Sequence, residues 1–299
     1  MKIGIDIGGS HIALGLIDDE LNIVYKIEET FTDEEKQDLK ETIIRKIILD
    51  VNQLLERNKI NINQIELIGI ACAGTVKEGY IVKAENLKIY NFHIVQKLQE
   101  ALKTKIIIRN DAKCAALAEK TIGGLKKYSD AIFLTLGTGI GGAIFINNKM
   151  IEPKTYPGFE VGHMVIDKNG IPCNCGKNGC FEKYASMKIL KDEIRQQYNL
   201  TTDVHSKELM EILNNKTEKS NKILDEYIKN LSIGLTNLIN IFEPEVISIG
   251  GSFSYYPEVF LEKLQNEILK ENATFNNRKD IKILMAELKN DAGIIGAVI

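Results

Sequence analysis

Apolar residues along this chain fall into two repeated phrases. Ile3-Gly-Ile-Asp-Ile-Gly-Gly-Ser-His-Ile-Ala-Leu-Gly-Leu-Ile-Asp18 reads as an apolar strand, a glycine turn and a second apolar strand. Ile132-Phe-Leu-Thr-Leu-Gly-Thr-Gly-Ile-Gly-Gly-Ala-Ile-Phe-Ile-Asn147 repeats that plan about 130 residues later. Each phrase predicts a β-hairpin with a glycine tip, opening one half of the chain. Between them, Leu39, Ile43, Ile47, Val51 and Leu54 recur at helical spacing and predict a helix over 34–57. Residues 65–72 and 105–109 read as buried strands, and 112–120 as a helix. In the second half, helical patterns cover 182–197, 206–214, 217–242 and 257–272, with strands at 245–250 and 282–287. Strands alternating with helices predict an α/β protein, duplicated, with mixed or parallel sheets covered by helices. No linker or low-complexity stretch marks a boundary, so two domains packed around a cleft are expected.

Bulk properties narrow the function classes. With 299 residues the chain can bury a large core, and its length suggests two domains. The formal net charge of −3 lacks the basic excess of a nucleic-acid binder, so no nucleic-acid partner is expected. No apolar run approaches the ~20 residues that span a bilayer, so no membrane partner is expected either. The start, Met1-Lys-Ile-Gly-Ile, goes straight into a strand pattern, so no leader is expected and the cytoplasm is the expected compartment.

The densest chemistry lies in Cys173-Asn-Cys175-Gly-Lys-Asn-Gly179-Cys180-Phe-Glu182, with Glu160 and His163 just before it. Three of the five cysteines sit here, among glycines that permit a tight loop. Thiolates and an imidazole nitrogen are the ligands that zinc favours, so His163, Cys173, Cys175 and Cys180 read as a closed, structural zinc site. The alternative is a disulfide with chance clustering, which a reducing compartment disfavours. Zinc here would be a staple that holds Glu160 and Glu182, both next to ligands.

The glycine turns suggest a second layer. In Asp6-Ile-Gly8-Gly9-Ser10 the glycines let backbone N–H groups approach an anion, Ser10 adds a hydroxyl, and Asp6 suits a water-bridged magnesium ion. Gly137-Thr138-Gly139 repeats the arrangement with Thr138 as the hydroxyl. One such turn is weak evidence, since most are plain hairpins; two matched turns favour phosphate cradles. Gly250-Gly251-Ser252, after the strand Val246–Ile249, either lies under a nucleotide base or ribose or merely joins strand to helix. Asn110-Asp111 ends the strand Lys105–Arg109 and precedes a helical run. Asp111 is therefore either a helix N-cap or a general base at a strand's carboxyl end, where α/β proteins place ligands.

Taken together, these segments resemble the ROK sugar kinases, within the actin-like (ribonuclease H-like) and hexokinase-like ATPase fold. The resemblance covers the whole chain. Asp6–Ser10 and Gly137–Gly142 are similar to the family's two phosphate motifs, and Gly250–Ser252 to its adenosine motif. Glu160-Val-Gly-His163 with Cys173-x-Cys175-Gly-x-x-Gly-Cys180-x-Glu182 resembles its signature. The likeness implies a two-domain fold with duplicated mixed sheets. Its parts would be a small domain over 1–118, completed by a helix at 290–299, and a larger one over 119–289 with the zinc loop. It implies Asp111 as catalytic base, and Asn86, Asn110, Asp111, Glu160, His163 and Glu182 as sugar ligands. It further implies magnesium with ATP as phosphoryl donor, and a homodimer. The expected reaction is ATP-dependent phosphorylation of a hexose, glucose to glucose 6-phosphate. N-acetylmannosamine, another N-acetylhexosamine and fructose are the alternative substrates, and a non-catalytic sugar-sensing regulator is the alternative class. The chain departs from the family where Cys72-Ala73-Gly74-Thr75 replaces Pro-Gly-Pro and where Glu85 replaces Pro, both beside the sugar pocket. The family's repressors carry an added N-terminal helix-turn-helix; with the first phosphate hairpin at residues 3–18, none is expected here, and a kinase is the expected class.

Overall fold

The structure, a computed structural model, describes residues 1–77, 79–152, 158–272 and 281–299. The chain forms two units, Met1–Gly123 with Asn290–Ile299, and Gly124–Lys289.

In the first unit, β1 (Lys2–Ile7) and β2 (His11–Ile17) pair antiparallel around the Gly8–Ser10 tip, and β3 (Ile23–Thr30) extends the sheet. After α1 (Leu39–Asn58) comes β4 (Leu67–Cys72), then a small antiparallel sheet of β5 (Thr75–Lys77), β6 (Tyr80–Ala84) and β7 (Ile89–Phe92). Helix α2 (Ile94–Leu102), β8 (Ile106–Asn110) and α3 (Asp111–Thr121) follow. The main sheet runs β3-β2-β1-β4-β8, with β1, β4 and β8 parallel. Alternation decides its faces. Ile3, Ile5 and Ile7 enter a core with Ile43, Ile47, Val51 and Leu54 of α1, each such burial stabilising by about 1.5–3 kcal/mol. Gly4 points to the opposite face, where α9 (Asp291–Gly296) lies.

Helix α1 starts later than the sequence predicts. Residues 35–38 form a 3-10 turn, and Asp38 caps α1 by accepting from the Glu41 N–H. Lys59, with φ at +56°, ends it in the left-handed conformation.

The second unit repeats the plan. β9 (Ala131–Leu136) and β10 (Ile140–Ile146) form the second hairpin, and β11 (Lys149–Met150) follows. Helices α4 (Glu182–Ala185), α5 (Met187–Gln197), α6 (Ser206–Asn214) and α7 (Glu218–Phe242) precede β12 (Val246–Gly251), α8 (Pro257–Asn272) and β13 (Lys282–Met285). The sheet order β11-β10-β9-β12-β13 mirrors the first, again with two antiparallel pairings on one side and two parallel ones on the other. The helix predicted over 182–197 is broken at Ser186. Its hydroxyl accepts from the Ile189 N–H and caps α5, competing with helix continuation. The strand predicted over 282–287 ends at Met285, and none was predicted for β3, β5–β7 or α2.

Candidate functional site

In the first unit the candidate residues gather at the carboxyl ends of parallel β1, β4 and β8, where a sheet of this kind leaves backbone groups free for a ligand. Gly8 closes the first tip by donating to the His11 carbonyl at 3.0 Å, leaving Gly9 and Ser10 exposed. Asn86 stands beside this tip; a Cβ built on Gly9 would lie 3.9 Å from the Asn86 Cβ.

Asn110 rather than Asp111 caps α3. Its Oδ1 accepts from the Lys113 N–H at 3.2 Å, and its Nδ2 donates to the Gly74 carbonyl at 3.0 Å. Gly74, at φ +104°, brings that carbonyl round. Its contribution was missed in the sequence, where Ala73–Thr75 showed only as a departure from the family. Asp111 is thereby left without the capping role. Burial holds its carboxyl above the usual carboxylate range, against hydrogen bonds from the Ala112 N–H, its own N–H and the Asn110 side chain. Asp6 is pushed up to about 7, first by burial and then by the charge of Asp111. Asp6, whose ionisation burial and the Asp111 charge disfavour, is a hard-oxygen donor suited to a divalent cation, which would relieve it. Asp6 also faces Gly293 of α9, where an added Cβ would be 2.9 Å from Oδ2; no local sequence pattern announces that long-range contact.

The second unit carries the other candidates. His163 Nδ1 and the sulfurs of Cys173, Cys175 and Cys180 all lie within 4.8 Å of one another. Cys175 and Cys180 sulfurs are 3.5 Å apart, and Cys173 Sγ is 3.6 Å from His163 Nδ1. A tetrahedron with Zn–S bonds of about 2.3 Å has edges of about 3.8 Å, so the donors fit zinc in both chemistry and spacing. All five cysteines are free thiols, so no disulfide competes. The loop is shaped by Gly179, at φ +71°, where a Cβ would overlap the Asp167 carbonyl.

Glu182 joins this cluster to the second glycine turn. Its Oε1 is 3.3 Å from Cys173 Sγ and 3.5 Å from His163 Nδ1, and a Cβ on Gly139 would sit 2.7 Å from its Oε2. Glu160 precedes the short 3-10 turn Val161–His163, its carbonyl accepting from the His163 N–H at 3.1 Å. Gly137 donates to Gly139 O at 3.0 Å, leaving Thr138 exposed at the tip. Gly250 and Gly251 pair in register with Thr135 and Leu136, so the third turn lies beside the second. Among the described residues, no helix is long and apolar enough to cross a membrane.

Comparison with known proteins gives the family and the fold. The chain matches the model of the ROK family over residues 2–299. It is 27% identical to a glucokinase of Streptomyces coelicolor, covering 99% of this chain and 96% of that one. It is 29% identical to a xylose repressor of Caldicellulosiruptor bescii, covering 99% of this chain and 76% of the repressor. The crystal structure of a ROK family glucokinase from Streptomyces griseus, with glucose and AMPPNP, superposes with a TM-score of 0.83 at 27% identity. That superposition covers 99% of this chain and 97% of the other, and gives this chain the two-domain actin-like ATPase fold. With the paired hairpin sheets, the cysteine–histidine loop and a family match from end to end, this chain belongs to the ROK family.

Proposed function

We propose that this protein transfers the γ-phosphoryl group of ATP to the primary hydroxyl of a hexose, glucose before other sugars. Family membership gives a sugar kinase or a sugar-responsive regulator. The observation that carries the kinase reading is Asp111: a half-buried carboxylate at a strand end, not used as the helix cap, with a raised proton affinity. In the proposed step Asp111 accepts the hydroxyl proton as the sugar oxygen bonds to the γ-phosphorus and the bond to the ADP oxygen breaks. The proton leaves late in such a transfer, so positioning matters more than basicity. Gly8–Ser10 and Gly137–Gly139 would cradle the phosphates, and Gly250–Gly251 the nucleoside. Asp6 presents oxygen donors that would hold a magnesium ion, directly or through water, and such an ion would supply charge neutralisation on the phosphates.

Asn86, Asn110, Glu160, His163 and Glu182 would bind the sugar hydroxyls. His163, Cys173, Cys175 and Cys180 would hold zinc as a staple, which orients His163 and keeps Glu182 beside Gly139. Sites built to pair hydroxyls reject analogues that lack them, because buried partners are left unpaired.

A coupled assay measures kcat/KM for glucose, N-acetylmannosamine, N-acetylglucosamine and fructose with ATP and magnesium. Turnover with glucose at least about tenfold above the rest, worth ~1.4 kcal/mol, is the expected result. A larger value for an N-acetyl sugar overturns the glucose assignment alone. Glucose binding without turnover of any sugar overturns the kinase reading and favours the regulator.

A further inference from the structure

On the face of the first sheet that carries Asp6, one register row across β2, β1 and β4 is all glycine: Gly15, Gly4 and Gly69. Gly4 and Gly69 are register partners on β1 and β4, and a Cβ on either would overlap a carbonyl oxygen of the Ile294–Ala297 segment. Helix α9 therefore lies directly on the strand backbones. At its first turn, a Cβ on Gly293 would be 2.9 Å from Asp6 Oδ2 and 3.4 Å from Oδ1. The position of that turn thus limits where the Asp6 oxygens can stand.

Buried Ala292 and Ile294 pack this turn against the sheet, and β3 adds a polar tether. Lys26 Nζ donates to Asp291 Oδ1 at 2.8 Å and stands 3.4 Å from Glu28 Oε2. Lys26 pairs in register with Gly15, and Gly15 with Gly4, so its side chain reaches α9 across a glycine floor. At the far end of α9, Lys2 donates to the Val298 carbonyl at 3.1 Å and Arg109 to the Ile299 carbonyl at 3.4 Å. The Lys26 tether acts at the first turn of α9, the turn that faces Asp6. Lys26 and Asp291 are 30% and 48% exposed, and ion pairs that open to water contribute little to global stability. Their effect should therefore be read in position.

We propose that Lys26 and Asp291 are positioning residues for the magnesium–phosphate site, their ion pair pinning the first turn of α9 so that Gly293 fixes the Asp6 carboxylate. The proposal rests on the phosphoryl-transfer reading above. Magnesium demands near-ideal octahedral geometry, so a displaced Asp6 is felt in the magnesium requirement before it is felt at the sugar.

The test uses the full chain with Lys26→Met, which keeps the stem, Asp291→Asn, the double variant, Lys26→Arg and Gly293→Ala. Three quantities are measured: the magnesium concentration for half-maximal turnover, magnesium-dependent AMPPNP binding by calorimetry, and sugar affinity without nucleotide. Outer partners of metal ligands typically cost tenfold or more in metal affinity. Each single loss is expected to raise the magnesium requirement roughly tenfold, with sugar affinity within about twofold. The double variant should be no worse than either single one, since both remove one interaction. Lys26→Arg should stay near the parent, and Gly293→Ala should raise the requirement with the ion pair intact. An unchanged magnesium requirement in both single variants overturns the proposal, as does an equal loss of magnesium and sugar affinity. A parent protein that neither binds AMPPNP with magnesium nor transfers phosphoryl groups overturns the functional reading, and the positioning role of Lys26 and Asp291 with it, before any variant is compared.

Discussion

Asp50 offers a prediction whose size can be worked from the structure. It lies on α1 among apolar residues, 3% exposed, and its Oδ2 has no hydrogen-bond partner among the described residues. Burial, followed by the charge of Glu29, pushes its carboxyl from 3.8 up to about 6, with Lys46 opposing. About two units at 1.36 kcal/mol each make roughly 3 kcal/mol. The sign follows from the direction. A carboxyl raised on folding binds its proton more tightly in the native state. Its stabilising contribution is complete below about pH 4 and is lost as pH rises through about 6. Asp50→Asn keeps the shape and carries no charge at any pH, so it removes that loss. The variant is expected to gain about 2–3 kcal/mol over the parent between pH 4 and pH 8, or roughly 8 °C in Tm for a unit of this size. A buried amide adds its own offset, but that offset does not vary with pH. Thermal denaturation followed by circular dichroism at both pH values gives the comparison. A Tm difference that is the same at pH 4 and pH 8 refutes the reasoning and means that Asp50 titrates normally in the fold.

Asp111→Asn is expected to lower kcat by about 10²–10⁴ while sugar affinity, measured by calorimetry, stays within a few-fold; near-normal turnover would return Asp111 to a structural role. Asn110→Ala should cost about 1 kcal/mol in denaturant stability through the lost cap and should also raise the KM for sugar, because the tie to Gly74 goes with it. Metal analysis should find one zinc per chain, and Cys173→Ser should lower both Tm and sugar affinity. Full sugar affinity in a zinc-stripped preparation would contradict the staple.

Short-range patterns with steric causes were readable in the sequence. The two hairpins stood out because glycine tips interrupt apolar strands, and the ladders place those tips at Gly8–Ser10 and Gly137–Gly139. The cysteine–histidine loop was readable because few other roles suit that ligand spacing. Fold class followed from strand–helix alternation and from the family resemblance. The small β5–β7 sheet was not readable: its strands are three to five residues long and carry exposed Lys77, Lys83 and Tyr90, so alternation hardly registers. The break at Ser186 escaped because its flanks both keep helical spacing, and only the hydroxyl's bond to Ile189 decides between one helix and two. At Asn110-Asp111 either side chain can cap a helix, and the Gly74 carbonyl settles it by drawing Asn110 into place. Contacts such as Gly293 with Asp6 span most of the chain, and no local pattern encodes them.

That last separation has a consequence for how the protein is made. Residues 290–299 belong to the first unit, yet all of Gly124–Lys289 is synthesised before them. At about 5–20 residues per second, translation of that stretch takes roughly 8–35 s, long compared with the folding of most small domains. For that interval the first unit has its hairpin and α1 but not α9, and the glycine floor at Gly4, Gly15 and Gly69 is uncovered. Until α9 arrives, that sheet face leaves backbone and the apolar side chains Ala13 and Ile17 open to water. The second unit, whose elements are contiguous in the chain, has no such wait. The nascent protein should therefore acquire protease resistance out of order, with the second unit first and the first unit only after α9 has left the exit tunnel.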